Sequence, residues 1–306
     1  MSDKRVLIAG ARGLLGQKIV EIFRRESEYE LLPCELKAGN EGVVALDITD
    51  RQKVLDAVSA FKPSVIVNAA AFTDVDRAEV ERETAYKVNA TAVEHLAEAA
   101  NIFNSKLVHI STDYVFNGHK GNYDEMSLPD PIGYYGKTKL AGENLAKAQS
   151  DNLAILRTQV LYGFGAGIKK NFVLWIVEKL SRGEEFSVVT DQVGNPTLAD
   201  ELAFAVLKVV LRDARGLYHV SGFEAMSRFE FAGKIAQVFG YDKSIISPTT
   251  SDALNQKAKR PMNSSFICLK AQTELGLNMP SVTDSLSLMR QQMKHAGVIP
   301  QQNERM

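Results

Sequence analysis

The sequence predicts an α/β fold, a doubly wound parallel sheet followed by a smaller C-terminal α/β unit. Three observations carry this. Short apolar, β-rich runs alternate with helix-period segments from residue 5 to residue 110, the pattern of a parallel sheet covered on both faces. The first run, Arg5–Ala9, leads straight into a glycine-rich turn, Gly10-Ala11-Arg12-Gly13-Leu14-Leu15-Gly16, and then a helix. Polar residues stand where later runs end, at Asp47, Asn68 and Thr112, and ligands of such sheets bind at the carboxyl ends of the strands.

In chain order, the glycine-rich turn comes first. Its glycines allow a tight bend and a close backbone approach to a pyrophosphate, which rests on the N-terminus of the helix carrying Leu15, Ile19, Ile22 and Phe23. Gly10, Arg12, Gly13, Leu14, Leu15 and Gly16 are therefore candidate dinucleotide-binding residues. Leu31–Cys34 is the expected second strand, with Pro33 counting against it. Glu35 stands where an acidic residue would take the ribose diol of NAD, whereas Lys37 and Arg12 could meet the 2′-phosphate of NADP. Both basic residues read equally well as solvated charges, so NADH and NADPH stay open. Val43–Leu46 is a third strand, ending in Asp47 and Ile48, which suit the adenine amino group and ring face. Thr49 or Asp50 reads as the next N-cap. Ser64–Val67 is a fourth strand, ending in Asn68, Ala69, Ala70 and Ala71, where small side chains leave room for a cofactor. Asp74 and Asp76 read as solvated. A helix through Ala85, Val88, Ala92, Leu96 and Ala100 carries Asn89 on its apolar face, as a buried hydrogen-bonding group or a plain polar position.

Lys106–Ile110 is the next strand, and Ser111, Thr112 and Asp113 stand at its end. Beyond a polar loop, Tyr135 opens a helix, and Lys139 four residues later shares its face. A tyrosine hydroxyl has a reference pKa of about 10, and a nearby ammonium would lower it. Such a tyrosine can protonate a carbonyl oxygen as hydride reaches the carbon, and Thr112 could hydrogen-bond the same oxygen. The spacing alone is common; the glycine-rich turn upstream gives it weight.

Leu153–Leu156 continues the sheet. A Gly-rich connection, Phe164–Lys170, leads to a helix over Asn171–Leu180. There follow a strand at Phe186–Val189, the turn segment Asp191–Thr197, a helix at Ala199–Leu211 and a strand at Tyr218–Val220. Helix Arg228–Phe239, the strand-like Ile245-Ile246, the Arg260-Pro261 loop and a helix near Ser285–Lys294 complete the chain. The tail Ile299–Met306 reads as polar and loose. Residues 1–162 are assigned to a dinucleotide-binding domain, with 190–222 returning to it, and 163–306 mainly to a substrate-binding part.

Composition narrows the class. The chain has 306 residues, 45% hydrophobic and 24% charged, with net charge −1, which suits one large domain or two and gives no sign of a nucleic-acid or membrane partner. Cys34 and Cys268 form neither a metal-ligand spacing nor a disulfide framework, so no metal site and a reducing cytoplasm are expected. No signal peptide precedes the first strand, and no apolar run approaches the roughly 18 residues of a membrane span.

Together these residues resemble the extended short-chain dehydrogenase/reductase superfamily, whose fold is Rossmann-like, and within it the dTDP-4-dehydrorhamnose reductase family. The matching stretches are GARGLLG, LDITD, VNAAAFTDVDRAE, STDYVF, YYGKTKLAGE, RTQVLYG and DQVGNPT, spread over nearly the whole chain. The resemblance implies NAD(P)H-dependent reduction of the 4-keto group of a nucleoside-diphosphate 6-deoxysugar, foremost dTDP-4-dehydro-L-rhamnose. It implies Thr112, Tyr135 and Lys139 as the catalytic set, with Lys139 lowering the tyrosine pKa and holding the nicotinamide ribose. Gly10, Gly13, Gly16, Asp47, Ile48, Asn68, Ala69 and Ala70 would border the dinucleotide, and Asp113 and Tyr114 would line the sugar pocket. Asn171, Phe172, Gln192, Asn195, Pro196 and Arg260 would face the nucleoside diphosphate. Thr112-Asp113-Tyr114 lacks the glutamate of nucleotide-sugar 4,6-dehydratases, which favours a reductase. Gln159-Val160-Leu161-Tyr162 replaces the Ser-Trp-Val-Tyr of well-known family members, implying a differently shaped sugar pocket. An NADP-binding regulatory subunit like that of methionine adenosyltransferase and a nucleotide-sugar epimerase are the alternatives. A homodimer is left open.

Overall fold

The computed structural model describes residues 4–38, 42–168, 171–254 and 256–299. The end of the Gly-rich connection (169–170) and the tail from residue 300 lie outside them. The central sheet has seven strands, all paired in parallel: β1 (Arg5–Ala9), β2 (Glu30–Glu35), β3 (Val44–Ala45), β4 (Val65–Asn68), β5 (Lys106–Thr112), β6 (Leu153–Thr158) and β7 (Gly216–His219). Their order is β7-β6-β5-β4-β1-β2-β3. The chain starts in the middle, winds out to β3, then crosses back to β4 beside β1. That is the Rossmann-like doubly wound arrangement, and the reversal of direction leaves a crevice at the strand ends.

The inner strands are mostly apolar because both faces are covered. Val6 and Ile8 join one core, with Ile19, Phe23 and Val206, while Leu7 and Ala9 join the other, with Ile66, Leu96 and Leu107; this is the period-2 alternation of a strand. Pro33 is tolerated in β2 because β3 pairs only with Cys34 and Glu35, so the proline borders an unpaired stretch of sheet. Asp50, rather than Thr49, caps the next helix, accepting from the N–H groups of Gln52 and Lys53. The helix expected over residues 85–100 is interrupted. Arg82–Tyr86 and Ala92–Ile102 are α-helical, and a π-helical turn over Lys87–Thr91 joins them and contains Asn89.

A third core gathers Tyr162, Val173, Ile176, Phe231, Ile235, Leu286 and Met289. Helix Ala199–Leu211 and β7 pack with the sheet instead, as do Leu275, Leu277 and Met279, a later return that the sequence pattern does not announce. No helix among the described residues is long and apolar enough to cross a membrane.

Candidate active site

A cavity of about 1130 Å³ runs along the carboxyl edge of the sheet. At one end the chain makes room by having no side chains. Gly10 has φ +79°, and a Cβ there would lie 2.7 Å from the Ala70 nitrogen. A Cβ on Gly16 would lie 2.0 Å from the Gly10 oxygen, so the helix can sit against the turn only if residue 16 is glycine. Gly10, Gly13, Leu14 and Leu15 line the cavity, as do Asp47, Ile48, Ala69 and Ala70. Gly16 serves the packing of the turn rather than the cavity wall. Asn68 also stands behind the wall: it is buried, accepts from the Ala70 N–H at 3.1 Å and donates to His109 Nδ1 at 3.2 Å. It therefore positions the Ala69–Ala71 stretch. Burial keeps His109 neutral, its pKa well below the usual histidine value, which fits Nδ1 as the acceptor. Arg12 lines a neighbouring groove with Arg24, Arg25 and Lys37.

The other end of the cavity carries the candidate chemistry. Helix Tyr134–Gln149 buries Tyr135 and Lys139, and both line the cavity with Thr112, Asp113 and Tyr114. Lys139 donates to the Ile110 carbonyl at 2.7 Å. Burial brings its ammonium down to a pKa of about 8, while the negative charge of Glu143 pulls the other way. Burial raises the Tyr135 pKa above its ordinary value, and the contact with the Thr112 side chain only partly offsets this. The carboxyl of Asp113 and the neighbouring Tyr114 push it in the same direction as burial. The phenol stays protonated, the state a proton donor needs. Thr112 donates to Asp113 at 3.1 Å and accepts from the Tyr114 N–H at 3.3 Å. Burial lifts Asp113 to a pKa of about 6, against the pull of Ser264, which donates to it at 2.5 Å.

A buried network that the sequence motifs contain, but to which the sequence assigned no role, holds this helix in place. Glu143 accepts two hydrogen bonds from Arg157, at 2.8 and 2.7 Å, and one from Ser111 at 2.6 Å. Burial opposes its charge, but Arg157 and Ser111 prevail and hold the carboxyl below its usual range. Helix, β5 and β6 are thereby tied together directly beneath Lys139. Asn89 resolves to the buried alternative: it accepts from the Phe72 N–H at 2.8 Å and donates to Thr138 at 3.1 Å. Two glycines let the helix approach closely, since a Cβ on Gly136 would lie 2.0 Å from the Tyr114 oxygen and one on Gly142 would lie 2.1 Å from the Asn89 oxygen. Glu143, one turn beyond Lys139, and Arg157, at a strand end, carried the signal for the ion pair.

The residues expected on the nucleoside-diphosphate side disperse. Asn171 reaches the cavity wall, and it also caps its helix, accepting from the Leu174 N–H at 3.1 Å and donating to the Gly163 carbonyl at 2.8 Å. Phe172, Gln192, Asn195 and Arg260 do not line the cavity. Phe172 stacks on Phe231, and Gln192 donates to Ser251. Asn195 is enclosed, donating to the Gly222 carbonyl and accepting from the Phe266 N–H. Arg260 is paired with Asp76 through bonds of 3.0 and 2.8 Å, so Asp76 is a clasp and not a solvated charge. These polar groups are claimed by partners distant in the chain, which a local pattern cannot show. Val160, in the stretch that departs from the family pattern, lines the cavity with φ +47°. A β-branched residue in that region is strained, and such strain gathers at functional sites.

The sequence model of the RmlD substrate binding domain matches residues 4–295. The chain belongs to this family. Among RmlD-family relatives, the dTDP-4-dehydrorhamnose reductase of Aggregatibacter actinomycetemcomitans is 35% identical over 89% of this chain and 94% of that protein. Methionine adenosyltransferase 2 subunit beta of Danio rerio is 31% identical over 91% of this chain and 87% of that protein. The crystal structure of dTDP-4-dehydrorhamnose reductase from Bacillus anthracis in complex with NADP is 35% identical, with a TM-score of 0.86, covering 95% of this chain and 99% of that one. The RmlD-family fold thus extends over essentially the whole described chain.

Proposed function

We propose that this RmlD-family chain is an NAD(P)H-dependent reductase of the 4-keto group of a nucleoside-diphosphate 6-deoxysugar, with dTDP-4-dehydro-L-rhamnose as substrate and dTDP-L-rhamnose as product. The observation that carries this is the meeting of Thr112, Tyr135 and Lys139 on one wall of a cavity whose far end is the glycine-rich turn.

The close-packed turn at Gly10 and the helix N-terminus behind it suit a dinucleotide pyrophosphate. Asp47 and Ile48 would take the adenine end, and Lys139 the nicotinamide ribose. When bound, the reduced nicotinamide supplies a hydride to the carbonyl carbon. Thr112 orients the carbonyl oxygen, and Tyr135 gives it the hydroxyl proton, so the alcohol forms as C–H and O–H bonds are made together. Lys139 holds the resulting phenolate until it regains a proton from solvent. Arg12 and Lys37, beside Arg24 and Arg25 in the adjoining groove, favour the 2′-phosphate of NADPH. In this reading residues 1–162, with 190–222, hold the cofactor, and most of the remainder shapes the sugar side.

The test is loss of absorbance of the reduced nicotinamide with dTDP-4-dehydrorhamnose, using NADPH and then NADH. Oxidation with dTDP-rhamnose as product is expected, faster with NADPH. Tyr135→Phe should lower turnover by roughly 10²- to 10⁴-fold and keep NADPH binding. No oxidation by the unaltered protein, or near-normal turnover in the variant, would sink the proposal. Val160 and Leu161, with the likeness to methionine adenosyltransferase 2 subunit beta, favour a second reading as a regulatory subunit. Copurification of a synthetase with no reductase activity would support it.

A further inference from the structure

Two acceptors compete for the single proton of Thr112. A threonine hydroxyl carries one proton and two lone pairs. In the structure the proton goes to Asp113 Oδ1 at 3.1 Å, and one lone pair takes the Tyr114 N–H at 3.3 Å. A ketone oxygen oriented by Thr112 needs the same proton. The other carboxylate oxygen, Asp113 Oδ2, accepts from the Ser264 hydroxyl at 2.5 Å. Both residues are buried. Thr112 and Asp113 line the cavity, and Ser264 stands behind them. The backbone of Ser264 is fixed on both sides: its N–H donates to the Val193 carbonyl at 3.1 Å, and its carbonyl accepts from Gln159 Nε2 at 3.3 Å. Its hydroxyl is thus held against Asp113 by bonds to two other segments of the chain.

We propose that Ser264 is a positioning residue for the reduction, acting through Asp113 to decide whether Thr112 can donate to the ketone oxygen. The assignment deepens the reductase reading above and rests on it. While Asp113 is ionised, it holds the Thr112 proton, and the ketone oxygen has Tyr135 as its only donor of the pair. When Asp113 takes a proton from solvent, the direction reverses. The Asp113 O–H then donates to the second lone pair of Thr112, and the Thr112 proton turns to the ketone. No proton leaves Thr112 in this exchange; only the hydrogen bonds change direction. Because Ser264 already donates to Oδ2, the added proton falls on Oδ1, the oxygen that faces Thr112. Two donors then meet the oxygen on which negative charge develops as hydride arrives. The groups around Asp113 set the pH at which the direction changes. Burial raises its pKa to about 6, while Ser264, the charge of Arg228 and Thr112 pull it down. Tyr114, beside it in the chain, and Tyr135, on helix Tyr134–Gln149, are both raised above the ordinary tyrosine value and stay neutral there.

The experiment is the pH dependence of kcat at saturating NADPH and 4-keto sugar nucleotide, for the full-length protein and its Ser264→Ala, Ser264→Thr and Asp113→Asn variants. Turnover of the unaltered protein should fall roughly 10-fold, the scale of one hydrogen bond, as pH rises through the Asp113 pKa of about 6. Ser264→Ala removes a donor that favours the ionised carboxyl, so this step should move to higher pH, with NADPH binding unchanged. Ser264→Thr keeps the hydroxyl and should return the step to its place. Asp113→Asn cannot ionise and should lose the step, whatever its level of turnover. If Ser264→Ala does not fold, Ser264→Cys, a weaker donor of similar size, should give a smaller move in the same direction. A step that stays in place without the serine hydroxyl overturns the assignment, as does a uniform drop across the whole pH range, which would mark a structural role. A step that persists in Asp113→Asn overturns it too. Absence of NADPH oxidation by the unaltered protein at every pH overturns the reductase reading itself, a different result from any of these.

Discussion

At the glycine-rich end of the cavity the chain is shaped by missing side chains, whereas at the Tyr135–Lys139 end it is held by charge buried between elements. Gly10 lies against the backbone of Ala69 and Ala70, and Gly16 against that of Gly10 and Ala11, so closely that a Cβ on either glycine would clash. Ser111, Glu143 and Arg157 instead form a buried polar network in which the Arg157 Nε and Nη2 and the Ser111 hydroxyl all donate to Glu143, while Arg157 Nη1 has no hydrogen-bond partner among the described residues. The first construction tolerates nothing larger but asks for no distant partner. The second fixes Tyr135 and Lys139 firmly, but it fails as a unit, because removing one member leaves the others buried without a partner.

The sharpest way to break this comparison is Glu143→Gln. It leaves the Arg157 guanidinium buried and uncompensated, and stability to urea should fall by about 3–5 kcal/mol. A loss below about 1 kcal/mol would mean that the helix is held by its apolar contacts and glycines alone. Gly16→Ala should do less damage to the fold, about 1–3 kcal/mol, the usual range for overpacking. Its effect should fall on the cofactor, with NADPH affinity reduced roughly 10-fold or more as the turn is displaced; unchanged affinity would show that the turn has slack. The smallest effect is one of pH. Lys139 is charged below its pKa of about 8 and neutral above it, so turnover should decline along an alkaline limb centred near pH 8. The negative charge of Glu143 raises that pKa, so a folded fraction of Glu143→Gln should show the limb at lower pH. A limb that does not move would separate the ion pair from the chemistry.

The same division explains how much could be read from the sequence. The glycine-rich turn, the strand ends at Asp47 and Ala69, and the Tyr135–Lys139 spacing are legible because each is a local pattern with one steric or helical reason. Asn195 and Arg260 were candidates for the nucleoside-diphosphate side through the family resemblance alone. Their hydrogen bonds go to Gly222, Phe266 and Asp76, and no spacing rule connects those positions. The burial that raises the Tyr135 pKa is likewise a property of the fold, which the spacing to Lys139 does not show.

The clasp between Asp76 and Arg260 has a consequence for how the molecule comes into being. It spans 184 residues, and the bond from Ser264 to Asp113 spans 151. β1 to β6 with their helices are complete by residue 158, so a growing chain can wind most of its sheet long before residues 260–264 exist. Contacts of such long range form late and slowly. During synthesis the crevice at the glycine-rich turn is therefore in place first, and the neighbourhood of Asp113 and Tyr114 receives Arg260 and Ser264 only when about seven-eighths of the chain has been made.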